Sequence, residues 1–340
     1  MKIFSFLSLL LILSIFSAFY VPNLSIQNTL YYSILDKHNM LKNSKSPKII
    51  FIGGSNLSFG LDSKRISDTY GINVIDMGIH AGIGLKYIAN DIKPSLNGGD
   101  IVVVSPEYPN FYNVKPSFAD GRTELLIIVM DVYPEGRKHI KMEQWLHLSR
   151  YIPLYGLKKM REFIQNYYSA TFSDVHAKNT GKHKKIGMYH RKAFNEYGDA
   201  TVHWYLESNT LAKKSRRKKI DANFNILNLF NIFKRKKLDI DKDIIKFLKD
   251  YNEFVKSKKA KLYFLYPSYK ETLYNRNIKI ISRLANELNQ INFPMLSTPE
   301  RSKFSDNLFF NASAYHLTKE GVDLRTSRII EDLKPIFYKD

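Results

Sequence analysis

The chain has 340 residues, and its 44% hydrophobic and 14% aromatic content is enough for a packed core, which argues against global disorder. It contains no cysteine, which excludes disulfides, thiol nucleophiles and thiolate metal sites. The formal net charge of +20 is concentrated in basic runs at 182–185, 213–219 and 234–237. Such runs indicate solvated loops or a surface for anionic lipid or glycan; nucleic acid is the weakest alternative, because no nucleic-acid-binding signature accompanies them.

The first predicted element is an apolar helix at the N-terminus. Residues 3–21 carry no charge, and a helix of this length is roughly able to cross a ~30 Å hydrocarbon layer. The residues around Ala18 match a signal-peptidase site poorly, so an uncleaved anchor at 1–22 is favoured over a removed signal. Both alternatives export the rest of the chain, which predicts a single-pass protein of the cytoplasmic membrane with an extracytoplasmic domain. Residues 23–46 are polar and are predicted to be a linker.

Short apolar runs then alternate with helical patterns. The runs with the composition of buried parallel strands are 48–53, 73–77, 100–105 and 261–266. Apolar residues recur at helical spacing over 244–255 and 278–291. The alternation predicts a three-layer α/β/α sandwich with a mostly parallel sheet over 47–340. Residues 111–240 interrupt this rhythm and are predicted to form a basic, helical and loop-rich insertion.

A candidate nucleophile follows the first predicted strand. Gly53 and Gly54 precede Ser55, and ligands of open α/β sheets bind at the carboxyl ends of strands. Glycines permit a tight turn with nearby N–H groups, which would stabilise an oxyanion beside the Ser55 hydroxyl. His316 precedes the last predicted helix, from which its imidazole could accept the serine proton. A Gly-Ser turn is also a common helix cap, and Asp62 is predicted to begin the next helix.

The order of these motifs resembles the SGNH/GDSL hydrolase superfamily, in particular its membrane-anchored branch related to surface-polysaccharide O-acetyltransferases and DltD-like proteins. The resemblance covers residues 48–111, 190–205 and 240–335. The matched motifs are the Gly-Asp-Ser-like turn at 53–60, the glycine after the second strand at Gly78, the third motif at 105–111, the acid–histidine block at 309–321 and a segment at 194–199.

The resemblance implies an extracytoplasmic serine acyl-ester enzyme, an O-acetyltransferase or esterase that acts on a cell-envelope or surface polysaccharide. It implies Ser55 and His316 as catalytic residues, and the N–H groups of Ser55 and Gly78 as oxyanion donors. The implied partners are the membrane, through the N-terminal helix, and an acyl donor or membrane acyltransferase. No cofactor is expected, and no residues show the spacing of metal ligands.

The sequence departs from the family pattern around the nucleophile. Gly54 stands where the family has aspartate before the serine. The third motif lacks a Gly-x-Asn-Asp element, so the side-chain oxyanion donor is either missing or supplied by Asn56 or Asn110. Glu107 and His80 are further pocket candidates, because each follows a predicted strand near the expected site.

The most serious departure concerns the acid of a catalytic triad. Ser313 occupies the position three residues before His316 where the family has a carboxylate, and the nearest alternatives are Asp306 and Asn311. Loss of the acid in a triad reduces turnover by roughly 10⁴-fold. Three hypotheses follow: a Ser–His dyad, recruitment of Asp306, or loss of catalysis. The last would make the protein a non-catalytic assembly or binding component of a surface-glycan modification system.

Overall fold

Four strands form the main sheet of the computed structural model, which describes residues 2–113, 117–172, 186–205, 239–310 and 313–338. They are β1 (Lys48–Gly53), β2 (Asn73–Asp76), β3 (Ile101–Ser105) and β4 (Lys261–Phe264). Their order is β2-β1-β3-β4, and every pair is parallel. Two short strands, β5 (Tyr269–Lys270) and β6 (Lys303–Phe304), form a separate parallel pair. The predicted α/β fold with a mostly parallel sheet is confirmed.

The α-helices of the described residues are, in chain order, α1 (Lys2–Tyr20), α2 (Ser33–Asn43), α3 (Ser55–Ser58), α4 (Ser63–Tyr70), α5 (Leu85–Ile92), α6 (Thr123–Val132), α7 (Met142–Leu148), α8 (Ile152–Phe172), α9 (Lys242–Ser257), α10 (Glu271–Gln290) and α11 (Lys319–Phe337). Capping residues fix several of their ends. Asp62 begins α4 by accepting a hydrogen bond from Arg65 N, as its position predicts. Gly71 ends α4 with a φ of 62°, a left-handed conformation that favours glycine.

Helices flank the sheet and bury it. All six residues of β1 are buried, as expected for a parallel strand in a sheet covered on both faces. Ile66 of α4 and Ile329 of α11 join Phe51 and Val103 of the sheet in one core cluster. Truncation of such a side chain to alanine costs about 2–5 kcal/mol, because the cavity does not collapse fully. This core holds the strand ends in place.

Strand register brings three chain segments to one edge of the sheet. Gly53 at the end of β1 pairs with Ser105 at the end of β3. Asp76 at the end of β2 pairs with Phe51, two residues before the end of β1. The loops that follow β1, β2 and β3 therefore start side by side.

The chain divides into two compact units. Unit 1 consists of residues 1–35 and 123–192, and unit 2 of 36–122 and 193–340. Residues 23–46, predicted to be a linker, contain α2, because Ile34 and Leu41 lie on one helical face and are buried. The predicted insertion is shared between the two units. Its basic runs lie outside the described residues.

Unit 1 contains the apolar N-terminal helix. The helix α1 is long and apolar enough to cross a membrane, with a mean hydropathy of 2.3. It packs against α8 through buried small residues: Ser17 Oγ donates to Gly156 O at 3.0 Å, and a Cβ at Gly156 would overlap Ser14 O. Lys159 of α8 donates to Ala18 O at 3.0 Å. The two helices therefore approach as closely as their backbones allow.

Candidate active site

The turn after β1 has space for glycine alone. A Cβ at Gly53 would overlap Ser105 O, and a Cβ at Gly54 would overlap the carboxylate of Glu107. Ser55 follows as the first residue of the one-turn helix α3. Its N–H therefore has no intrahelical acceptor within reach, and its side chain lies at the carboxyl edge of the sheet.

His316 reaches Ser55 from the segment before α11. Its Nε2 lies 2.9 Å from Ser55 Oγ. Leu317 N donates to Phe59 O at 3.1 Å, which fixes this segment beside α3. Ser313 Oγ accepts hydrogen bonds from the backbone N of Tyr315 and of His316, so it shapes the turn that presents the imidazole. The two sequence candidates for nucleophile and base are thus within hydrogen-bond distance.

The imidazole of His316 is neutral at pH 7. Burial lowers its pKa to about 3, and electrostatic interaction with the imidazoles of His203 and His80 acts in the same direction. Within the described ranges, its Nδ1 is buried without a hydrogen-bond partner. A neutral imidazole can accept a proton from Ser55, but without a carboxylate at Nδ1 it holds that proton weakly.

None of the described residues predicted to orient the imidazole of His316 contacts its Nδ1. The carboxylate of Asp306 accepts hydrogen bonds from Thr272 N at 3.1 Å and Thr272 Oγ1 at 2.6 Å, because it caps the first turn of α10. It is therefore not the partner of Nδ1. Ser313 supports the backbone of His316 and not its ring. Asn311 lies outside the described residues.

The expected oxyanion donor Gly78 is committed to the fold. Its N–H donates to Asp76 Oδ1 at 2.7 Å, because the loop after β2 turns back on the last residue of that strand. Its carbonyl accepts from Ser58 Oγ at 2.5 Å and from Lys37 Nζ. The N–H of Gly78 is therefore engaged by Asp76 in this geometry, and its role as an oxyanion donor stays a prediction.

The two candidate asparagines are also engaged. Asn56 N donates to Glu107 Oε1 at 3.0 Å, and its side-chain amide donates to Ser105 Oγ at 3.2 Å. Asn110 Oδ1 accepts from Leu85 N at 3.3 Å, and its amide donates to Glu107 O at 3.1 Å. Both side chains hold strand-end loops together. Of the predicted oxyanion donors, the N–H of Ser55 therefore remains as the candidate, because it lies in the first turn of α3.

Glu107 is a second polar side chain within reach of the nucleophile. Its Oε1 is 3.4 Å from Ser55 Oγ and accepts from Asn56 N, while its Oε2 is buried without a partner in the described part of the chain. Burial raises the pKa of Glu107 to about 7, against the hydrogen bond from Asn56. The single proton of the Ser55 hydroxyl thus has two acceptors, an imidazole and a carboxylate.

Glu107→Gln should make stability less dependent on pH. Folding raises the pKa of the Glu107 carboxyl from 4.5 to about 7, so the folded state binds this proton more tightly than the unfolded state. The resulting stabilisation is fully present below pH 4.5 and is lost as the pH rises through 7. The wild type should therefore lose on the order of 3 kcal/mol relative to Glu107→Gln between pH 4.5 and 8. Urea unfolding of the full chain at several pH values measures this difference. Glu253→Gln changes the same charge on the surface and should follow the wild type; an equal pH slope for all three proteins would contradict the assignment.

A buried arginine under the nucleophile turn was not predicted. Arg325 of α11 donates to Asn56 O at 2.5 Å and to Ser105 Oγ at 3.3 Å. Burial lowers its pKa to about 10, against the charges of Asp76 and Glu107. The sequence does contain a signal: Arg325 stands between Val322 and Ile329 on the apolar stripe of the helix.

A buried lysine holds the loop after β2. Lys37 Nζ donates to the carbonyls of Asp76 at 2.8 Å and Gly198 at 2.7 Å, and also to that of Gly78. Asp199 accepts from both N and Oγ of Ser63 at 2.7 Å. Desolvation lowers the pKa of Lys37, while Asp76 and Asp199 oppose this shift. These residues fix the backbone beside the site.

Two further histidines border His316. His80 Nδ1 accepts from Gly82 N at 3.0 Å, and burial, with the charge of Arg122, lowers its pKa to about 4. His203, which the sequence did not single out, stacks on Phe310 at 4.8 Å between ring centroids. Both stay neutral at pH 7 and make the surroundings of the Ser55–His316 pair weakly polar. The described ranges contain no group of three His, Asp or Glu side chains able to hold a metal.

Comparison of the chain with protein-family models, with curated proteins and with solved structures found no match. What stands is an α/β protein with a four-stranded parallel sheet, flanking helices and an apolar N-terminal helix.

Proposed function

We propose that this protein is a membrane-anchored serine acyl-ester enzyme of the SGNH type, an O-acetyltransferase or esterase that acts on a cell-envelope or surface polysaccharide. The observation that carries the proposal is the 2.9 Å distance between Ser55 Oγ and His316 Nε2. The pair lies at the carboxyl edge of a parallel sheet, where α/β proteins bind ligands. The net charge of +20 favours an anionic polymer as the acceptor.

The chemistry of this pair is acyl transfer. Ser55 Oγ attacks the ester carbonyl carbon while its proton passes to His316 Nε2. When the tetrahedral intermediate collapses, the ester C–O bond breaks and the leaving alkoxide takes that proton. An acceptor hydroxyl, or water in an esterase, then attacks the acyl-Ser55 ester; His316 takes its proton and returns it to Ser55. The N–H of Ser55 is positioned at a helix start to donate to the oxyanion.

The proposed location is the cytoplasmic membrane, with the exported part attached through an uncleaved α1. Two contacts support retention of this helix. Ser17 Oγ donates to Gly156 O, and Ala18 O accepts from Lys159. Removal of α1 as a signal would leave Lys159 without this acceptor and would expose the glycine face of α8.

A non-catalytic binding component is the second candidate. It is favoured by the absence of a partner for His316 Nδ1 among the described residues and by the bond between Gly78 N and Asp76. Both features weaken acyl transfer relative to a complete triad. In such a component the strand-end pocket would bind a glycan without reacting.

A fluorophosphonate probe distinguishes the two candidates, because it phosphonylates an activated serine hydroxyl. We expect peptide mapping of the labelled full chain to place the adduct on Ser55. His316→Ala should abolish the adduct, and His147→Ala, which changes an exposed histidine, should retain it. An unlabelled Ser55 in the folded wild type would contradict the enzyme proposal and support the binding component.

A further inference from the structure

Exposed apolar side chains are concentrated on the helices of unit 1. On α8 they are Leu154, Leu157, Phe163, Ile164, Tyr167 and Tyr168, with Leu154 exposed by 66% and Tyr167 by 63%. On α7, Met142 and Leu146 are exposed by 73% and 66%. Water-soluble proteins rarely expose apolar surface of this extent without a partner.

Three of the exposed apolar side chains of α8 share one face. Leu157, Ile164 and Tyr168 lie within about 40° of one another around the helix axis. Lys158 lies about 100° from Leu157 and about 120° from Ile164, so it projects from a different side of the helix. A third side packs on α1 through Gly156 and Lys159, both buried. Thus α8 has an apolar face, a polar face and a face covered by the N-terminal helix.

The neighbour of the apolar face indicates what covers it. Gly156 meets α1 at Ser14–Ala18, near the end of the span that continues into the exported chain. Most other α1 side chains are exposed and apolar, as lipid contact requires. The apolar face of α8 borders this surface, and Tyr167 and Tyr168 are residues enriched at membrane interfaces.

We propose that α8 is an interfacial helix whose apolar face contacts the acyl chains of the leaflet from which the exported chain emerges. The inference rests on the proposed anchoring by α1. Amphipathic helices with cationic side chains beside an apolar face bind bilayer surfaces in this way, and Lys158 and Arg161 supply those cations.

Site-directed spin labelling tests the lipid contact, because the chain has no cysteine to interfere. The full chain carrying Ile164→Cys or Lys158→Cys is labelled and reconstituted in vesicles of phosphatidylethanolamine and phosphatidylglycerol. Collision with oxygen reports lipid, and collision with a water-soluble nickel chelate reports solvent. The label at 164 should collide several-fold more with oxygen than with nickel, and the label at 158 should show the reverse. Leu157→Cys, on the same face as 164, repeats the measurement should a label at 164 perturb folding.

Two outcomes would overturn the proposal. If the label at 164 collides with the nickel chelate as often as the label at 158 does, the apolar face of α8 is exposed to water. A label reached by neither reagent means that protein covers it. Extraction with alkaline carbonate separates this failure from failure of the anchor: a chain that stays in the vesicles with a solvated face refutes the interfacial helix alone, and a chain that is released refutes anchoring by α1.

Discussion

Ser55→Ala and His316→Ala are each expected to lower acyl-ester turnover by about 10³-fold or more. Ser55 supplies the attacking oxygen, and His316 is the base 2.9 Å from it, so neither works without the other. The double variant should therefore be no slower than either single variant, because residues that act as one unit are non-additive. Turnover of an aryl acetate measures this effect in vitro, and the acetyl content of the surface glycan measures it in a complemented deletion strain.

The control for this series is Asp306→Asn. The carboxylate of Asp306 is engaged with Thr272 at the start of α10, so its neutralisation should leave turnover unchanged. Thermal unfolding must show that Ser55→Ala and His316→Ala remain folded. Wild-type acetylation by folded Ser55→Ala would eliminate the nucleophile assignment. A double variant slower than both single variants would indicate that the two side chains act independently.

Lys37→Met should destabilise unit 2 by about 3–5 kcal/mol. The substitution removes the donor shared by the buried carbonyls of Asp76, Gly78 and Gly198, and it leaves the side chain of Asp76 without the cation 3.9 Å away. Methionine has a similar length, so the loss reflects polar groups left unsatisfied more than a cavity. Urea unfolding of the full chain at pH 7 measures the change.

Lys42→Met is the matched control, because Lys42 is an exposed lysine of the same helix α2. It should change the unfolding free energy by less than about 1 kcal/mol, since a surface cation near a helix end contributes little. Equal stability of Lys37→Met and Lys42→Met would show that the buried ammonium is not needed to hold the loop after β2.

The strands were predictable from the sequence because parallel strands buried on both faces are continuous apolar runs. The runs at 48–53 and 261–266 correspond to β1 and β4. The helix predicted at 278–291 begins seven residues earlier, at Glu271, because its first two turns are largely polar and contribute one buried side chain, that of Tyr274. Periodicity identifies the buried part of a helix and not its capped ends.

The buried charges were not predictable, because their partners lie far away in the chain. Lys37 interacts with residues about 40 and 160 positions away, and Arg325 interacts with Asn56 across 269 positions. Lysine and arginine are almost never fully buried unless paired, so each alone indicates the surface. The pair of Ser55 and His316 was found because their motif order was informative, whereas the bond that engages Gly78 depends on the local turn.

The contact between α1 and α8 can form only after the ribosome has synthesised α8. Ser17 and Gly156 are separated by 139 residues, which a ribosome takes roughly 7–30 s to add. During this interval β1, β2 and β3 have been made, while β4 must wait about another 100 residues. The β3 edge is therefore an open pairing surface throughout the assembly of unit 1, and open edges invite pairing with other chains. For the nascent chain, the risk of aggregation outside the ribosome depends on the rate of translation, and faster elongation between β3 and β4 should reduce it.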